Sequence, residues 1–160
     1  MGIAYPSETP PDFPSLDVRV TGPDCDVLSE ADLRRLFPGS SLTQPRLDRL
    51  REWPRVVVRL GDRIVAAATC KKSEVEMRVP DIGIEAPPLP HCGGTCRCSE
   101  RDIVNALLDA VELASIAGGC RRVILNPPRV SMGFLERRGY VGVNERCAGG
   151  WIEKTITEYL

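Results

Sequence analysis

Leu16, Val18 and Val20 alternate with Asp17 and Arg19, the period-two pattern of a half-buried strand. The period then lengthens. Leu33, Leu36 and Phe37 share one face of a helix that Ser29 caps, with Asp32 three residues on and Pro38-Gly39 as the stop. Thr43 caps a second helix, whose first turn holds Pro45, where a missing N–H costs nothing. Leu47, Leu50 and Trp53 recur there at helical spacing, and Pro54 ends it. Residues 56–60 and 64–68 are apolar runs around Gly61-Asp62 and predict a hairpin. Residues 78–85 predict a further strand, in which Gly83 marks a bulge or the close approach of another group; Pro87, Pro88 and Pro90 terminate it.

The clearest helix follows. Ser99 caps it, Glu100 and Asp102 favour its positive end, and Ile103, Val104, Leu107, Leu108, Val111 and Ala114 form one apolar face before Gly118-Gly119 closes it. Residues 122–125 read as a short buried strand. Strand, long helix and strand make a βαβ crossover, so the strand ending at Glu85 and the strand 122–125 are expected as parallel neighbours with helix 99–117 crossing over them. A short helix over 131–138 ends at Gly139, and residues 140–143 and 151–156 flank a loop with Gly149-Gly150 as a closing hairpin. The class is α/β, in the α+β sense of a mixed sheet.

At 160 residues the chain matches one domain, read as residues 15–160 behind a proline-rich arm over 1–14. Twenty-one basic and 22 acidic side chains leave a net charge of -1, and no run of Lys and Arg exceeds two, so no nucleic-acid partner is expected. Pro6, Pro10, Pro11 and Pro14 stand where a secretory signal needs an apolar run, and no stretch reaches membrane-spanning length. Pro6 also removes the myristoylation pattern that Gly2 begins. The expectation is a cytoplasmic protein with no membrane partner; a homodimer is compatible with it.

Leu125-Asn126, a short spacer and then Phe134-Leu135-Glu136-Arg137-Arg138-Gly139-Tyr140, preceded by the long helix and Gly118-Gly119, resemble a segment of the GNAT acetyltransferases. In that family of acetyl-CoA-dependent N-acetyltransferases a strand and asparagine lead to a helix ending in an aromatic-rich glycine turn. The resemblance covers residues 16–157. It implies a mostly antiparallel mixed sheet with a central splayed parallel strand pair and flanking helices. It further implies that acetyl-CoA, or another acyl-CoA, lays its pantetheine arm along the splayed strand, at Gly83 and Ile84, and transfers its acyl group to an unidentified small-molecule or peptide amine. The diphosphate would rest on the long helix's N-terminus. The register that aligns this helix puts Ser99, Asp102 and Val104 where the family has R/Q-x-x-G-x-G/A, and Asp102 sets a carboxylate against the diphosphate; Arg101 and Arg97 partly compensate. Asn126, at a strand end before Pro127-Pro128, reads as a turn residue first and, by the resemblance, corresponds to a cofactor contact second. Leu135 stands where many members carry a Tyr that protonates the departing thiolate. Glu85 and Asp81, on the splayed strand, are the candidates for general base, against a plainer reading as solvated strand carboxylates.

Of seven cysteines, Cys25, Cys70, Cys120 and Cys147 sit singly, as small apolar residues do in a reducing compartment. Cys92, Cys96 and Cys98, beside His91, offer the soft donors of a structural zinc; a disulfide or redox pair and plain loop cysteines are the other readings. Cys98 lies one residue before the helix cap, where the dipole lowers a thiol's pKa, so it is expected to be the most reactive. Three functions follow: an acyl-CoA-dependent N-acyltransferase, a catalytically silent GNAT-like domain that binds a ligand or partner, and a metal- or redox-responsive module built on the cysteine loop.

Overall fold

The computed structural model describes residues 16–21, 28–85, 100–126, 132–142 and 150–156. The proline-rich arm, His91 with Cys92, Cys96 and Cys98, Arg97 and Ser99 lie outside them.

Strand β1 (Leu16–Thr21) pairs antiparallel with β2 (Arg55–Leu60), and between them run the helices α1 (Glu30–Leu36) and α2 (Gln44–Glu52), joined through a single 3-10 turn at Gly39–Ser41. The helix signals are local and hold. Ser29 and Asp32 form a reciprocal capping box on α1, and Thr43 caps α2 with Pro45 in its first turn. β2 turns through Gly61, at φ 63, into β3 (Arg63–Thr69), a backbone conformation that costs glycine little. A register shift between Val58 and Arg59 bends this ladder, a bulge the alternation did not announce.

The predicted strand over 78–85 is two strands in two sheets. Its first part belongs to β5 (Glu76–Val79), which runs parallel to β7 (Arg122–Leu125), with Val79 opposite Leu125. Its second part, β6 (Ile82–Ile84), pairs antiparallel with β3 and closes a four-stranded sheet of order β1-β2-β3-β6. The parallel neighbour of β7 is therefore the segment before Pro80, not the strand ending at Glu85. The physical reason is at Pro80-Asp81: proline has no N–H for a ladder, and the Asp81 side chain is drawn toward α2. β5 also pairs with β4 (Lys71–Lys72). With β9 (Ile152–Thr155) and β8 (Val141–Gly142) they form a five-stranded sheet of order β4-β5-β7-β9-β8. Lysines on the edge strand β4 discourage edge-to-edge pairing.

Helix α3 (Glu100–Ala117) provides the crossover from the first sheet to β7. It buries Ile103, Val104, Leu107, Leu108 and Val111 completely, against Val56, Val58, Ala66 and Ala68 on one face of the four-stranded sheet. Val57, Ile64 and Ala67 face the other way and meet Leu33, Leu36, Phe37 and Leu50 of the α1–α2 region. A sheet buried on both faces explains why β2 and β3 read as continuous apolar runs rather than alternating ones. Both α3 and the short helix α4 (Met132–Arg137) end in a Schellman motif. Cys120 N bonds Ser115 O at 2.9 Å around Gly119, and Tyr140 N bonds Leu135 O at 3.0 Å around Gly139, both glycines at positive φ. No described helix is long and apolar enough to cross a membrane.

Candidate functional site

The two sheets part where β5 gives way to β6. β7 follows β5 as far as Val79 and Leu125, while beyond Pro80 the chain stays with β3, so a fork opens between β6 and the end of β7. Asn126 stands in its crotch: its main-chain N–H donates to Val79 O at 3.1 Å and its side-chain Nδ2 to Pro80 O at 3.3 Å. The side chain thus bridges the two diverging strands, using an asparagine's donor where a following ladder bond would have been.

Along β6 the bonding alternates. Thr69 N donates to Asp81 O and Glu85 N to Val65 O, with Gly83 opposite Ala67, so residues 81, 83 and 85 turn their main-chain groups toward β3. Those of Ile82 and Ile84 turn toward the fork. Gly83, expected to offer its backbone to a cofactor, therefore bonds within the sheet. Its lack of a side chain serves packing instead: a Cβ there would stand 2.5 Å from Phe37 Cζ, and Phe37 is 2 % exposed. The close approach expected at this glycine is that of the Phe37 ring.

The two carboxylates flanking β6 are buried, not solvated. Asp81 is wholly inaccessible and accepts four hydrogen bonds: Arg49 Nε at 2.7 Å and Thr69 Oγ1 at 2.6 Å on Oδ2, Arg49 Nη2 at 2.7 Å and Arg46 Nε at 2.9 Å on Oδ1. Burial alone would raise its pKa, but the bonds from Arg49, Thr69 and Arg46 outweigh it and hold the carboxyl below its ordinary value. Glu85, 4 % exposed, accepts from Arg35 Nε at 2.7 Å and Arg63 Nε at 2.8 Å. Arg35 continues to Asp32 and to the Ile64 carbonyl. Each carboxylate is thus the tie between β6 and the elements packed on it, with its oxygens occupied by these donors.

A cavity of about 250 Å³ lies beside the fork, between the end of α1, the start of α2 and β6. Leu36, Phe37 and Pro38 form one wall and Ile82 and Ile84 the other, with Ser41 and Arg46 as its polar members. Arg46 also lies 5.1 Å from the Phe37 ring centroid, a cation–π distance. Nothing in the sequence singled out Ser41 or Arg46, and Phe37 counted there only as part of a helix face.

The remaining site candidates are scattered over the fold. On α3, Arg101 and Asp102 are exposed in the first turn, whereas Val104 is buried in the core and presents no side chain to a ligand at that helix end. Arg101 lies 5.8 Å from the ring centroid of Phe134 on α4. Leu135 is completely buried. Tyr140, the neighbouring phenol, does not replace a proton donor: its hydroxyl donates to Glu112 Oε2 at 2.8 Å, and burial, together with that carboxylate, pushes its pKa far above the ordinary value. Glu112 also takes Lys154 and Arg138, which reaches Asn105 and Asp109 as well, so this polar face of α3 clamps α4 and β9. Among the described residues no three His, Cys, Asp or Glu are gathered as a metal would require; Cys92, Cys96 and Cys98 are not among them.

No protein-family model and no curated protein sequence matches the chain. Solved structures do. Aminoglycoside 6'-acetyltransferase type Ii superimposes with a TM-score of 0.62 at 16% identity, covering 87% of this chain and 96% of that one. The PaiA N-acetyltransferase from Thermoplasma acidophilum, in complex with coenzyme A, gives 0.61 at 12% identity over 89% and 99%. A GNAT family acetyltransferase from Elizabethkingia anophelis with acetyl-CoA bound gives 0.58 at 11% over 88% and 98%. The chain therefore has the GNAT acetyltransferase fold.

Proposed function

We propose that the chain is an acyl-CoA-dependent N-acyltransferase, moving an acetyl or other acyl group from the CoA thioester to an amine. The observation that carries this reading is the fork, with the main-chain groups of Ile82 turned into it and the Phe37–Arg46 cavity against the same strand edge. Pantetheine is a chain of amides, so an extended strand edge is its natural complement, in the manner of an added strand. The N–H groups of the first turn of α3 suit a diphosphate, with Arg101 exposed beside them and Asp102 opposing. Two of the superimposable proteins are described with coenzyme A or acetyl-CoA bound, which supports the same ligand class here.

In the transfer the amine nitrogen attacks the thioester carbonyl, a C–N bond forms, the C–S bond breaks, and the sulfur leaves as thiolate. The chain's contribution is chiefly position. Holding thioester and amine in contact across the β6 edge removes much of the entropic barrier of a bimolecular step. Asp81 and Glu85 act as struts that fix this edge; the acceptor ammonium sheds one proton to solvent before it attacks, and the second proton leaves the nitrogen for solvent or the departing thiolate as the amide forms. Leu135 donates nothing to the leaving group; a thiol, with a pKa of about 8.5, departs near neutrality without it, at a slower rate than with a general acid.

A second reading has its own support: with both β6 carboxylates committed to arginines and Leu135 buried, the fold suits a domain that binds acyl-CoA without turning it over. The experiment is release of free CoA thiol from acetyl-CoA in the presence of a mixture of amines, with mass spectrometry of the amines for one added acetyl group. Amine-dependent thiol release supports the transferase. Acetyl-CoA binding without release supports the silent domain, and no binding removes both.

A further inference from the structure

Resting on the acyl-transfer reading, we infer that the acceptor amine also carries a carboxylate, and that Arg46 in the cavity beside β6 selects for it. Arg46 holds Asp81 through Nε at 2.9 Å and the Ser41 carbonyl through Nη1 at 2.7 Å, while Nη2 makes no hydrogen bond among the described residues. Its partner carboxylate does not depend on Arg46 alone, because Arg49 bonds both oxygens of Asp81 and Thr69 bonds Oδ2 as well. Two guanidinium groups therefore face one carboxylate, and no acidic side chain is among the described residues that line the cavity. The wall that faces a ligand carries surplus positive charge on a residue whose side chain is 21% exposed.

The other lining groups say what the rest of the ligand is. Leu36, Phe37, Pro38, Ile82 and Ile84 are apolar, and Phe37 itself is pinned by Gly83 beneath it and Arg46 above. A cavity of about 250 Å³ takes one compact apolar group. The matching acceptor is a small apolar α-amino acid: carboxylate on Arg46, side chain on Phe37 and Leu36, amine toward the β6 edge. A polyamine would meet the guanidinium surplus with like charge. Arg is the suited residue, since its planar fork can keep Asp81 and Ser41 and still donate to a carboxylate.

The test is binding by saturation-transfer NMR, in the presence of CoA, of valine, leucine and methionine, each beside its carboxamide and its decarboxylated amine. A charge-assisted hydrogen bond predicts at least about tenfold tighter binding of the amino acid than of either analogue. Arg46→Gln should abolish that preference and Arg46→Lys should retain part of it. Arg63→Gln removes a comparable contact to the other β6 carboxylate, Glu85, leaves both guanidinium groups on Asp81 and lies outside the cavity lining, so it should keep the preference, which separates ligand selection from a structural role. Equal binding of acids, amides and amines, no binding of any of them, or loss of the preference in Arg63→Gln as well as Arg46→Gln overturns the inference. A parallel titration with acetyl-CoA keeps the premise distinct: acetyl-CoA binding with no acid preference overturns the Arg46 assignment alone, whereas no acetyl-CoA binding overturns the transferase reading beneath it.

Discussion

The ring of Phe37 occupies the space a side chain at position 83 would need, with Phe37 Cζ 2.5 Å from where a Gly83 Cβ would stand. The contact joins the end of α1 to β6 and sets one wall of the cavity. Gly83→Ala is expected to cost about 1–3 kcal/mol, the range for overpacking, although alanine is otherwise the better strand residue. Phe37→Ala should cost about 3–5 kcal/mol through the void it leaves. In the double variant the alanine at 83 meets no ring, so its cost should vanish. Urea denaturation of the four proteins measures the coupling; additive effects would mean that the two residues do not touch.

Asp81 ties β6 to α2, and its replacement should be felt throughout the four-stranded sheet. Asp81→Asn leaves Arg46 and Arg49 facing a neutral amide and is expected to lose about 3–5 kcal/mol at pH 7, as when one member of a buried pair is removed. The pH dependence follows from the lowered folded pKa. Stability from the ionised Asp81 is fully present above the unfolded value, near 3.8, and disappears as pH falls through the lower folded one. The gap between wild type and Asp81→Asn in equilibrium unfolding should thus be constant from pH 7 down to about 4 and narrow below it.

These two relationships also show what the chain makes legible before folding. Ser29, Thr43, Gly61, Gly119 and Gly139 act on their own neighbours, so caps, turns and helix ends could be read directly, and the apolar face of α3 follows from spacing. The break in the strand over 78–85 could not be placed this way. Gly83 was the expected irregularity, but what draws the chain aside is Asp81, after Pro80, meeting arginines more than thirty positions earlier. For the same reason nothing local marks Arg35, Arg46, Arg49 or Arg63 as a tie of the sheet. The one available signal was pairing by type: two acids on an otherwise apolar strand need cations nearby if that strand is buried. Phe37 was legible as apolar and Gly83 as a close approach, yet nothing local said that each explained the other.

Cys70 is buried, and burial pushes its thiol up to about 12, so it carries almost no thiolate at neutral pH. Native protein treated with iodoacetamide at about pH 8 should leave Cys70 unmodified by peptide mass mapping, and denaturant should make it reactive. Labelling of Cys70 in the native state would show that the β3–β4 junction opens readily.

Asp102 is exposed in the first turn of α3. Asp102→Gly removes a carboxylate from the helix end proposed for the diphosphate and should tighten acetyl-CoA binding by up to about tenfold, measured by calorimetry at fixed ionic strength. The helix should lose no more than about 1 kcal/mol. Unchanged or weaker binding would place the diphosphate elsewhere.

The most direct measurement is a titration of isotope-labelled protein with acetyl-CoA, followed through its amide resonances. The expected result is saturable binding of one equivalent, with the largest shifts at residues 82–84, at Asn126 and in the first turn of α3, and little change on β4 or β8. Failure to bind, or shifts confined to surfaces away from the β6–β7 fork, would contradict the proposal that the fork holds an acyl-CoA.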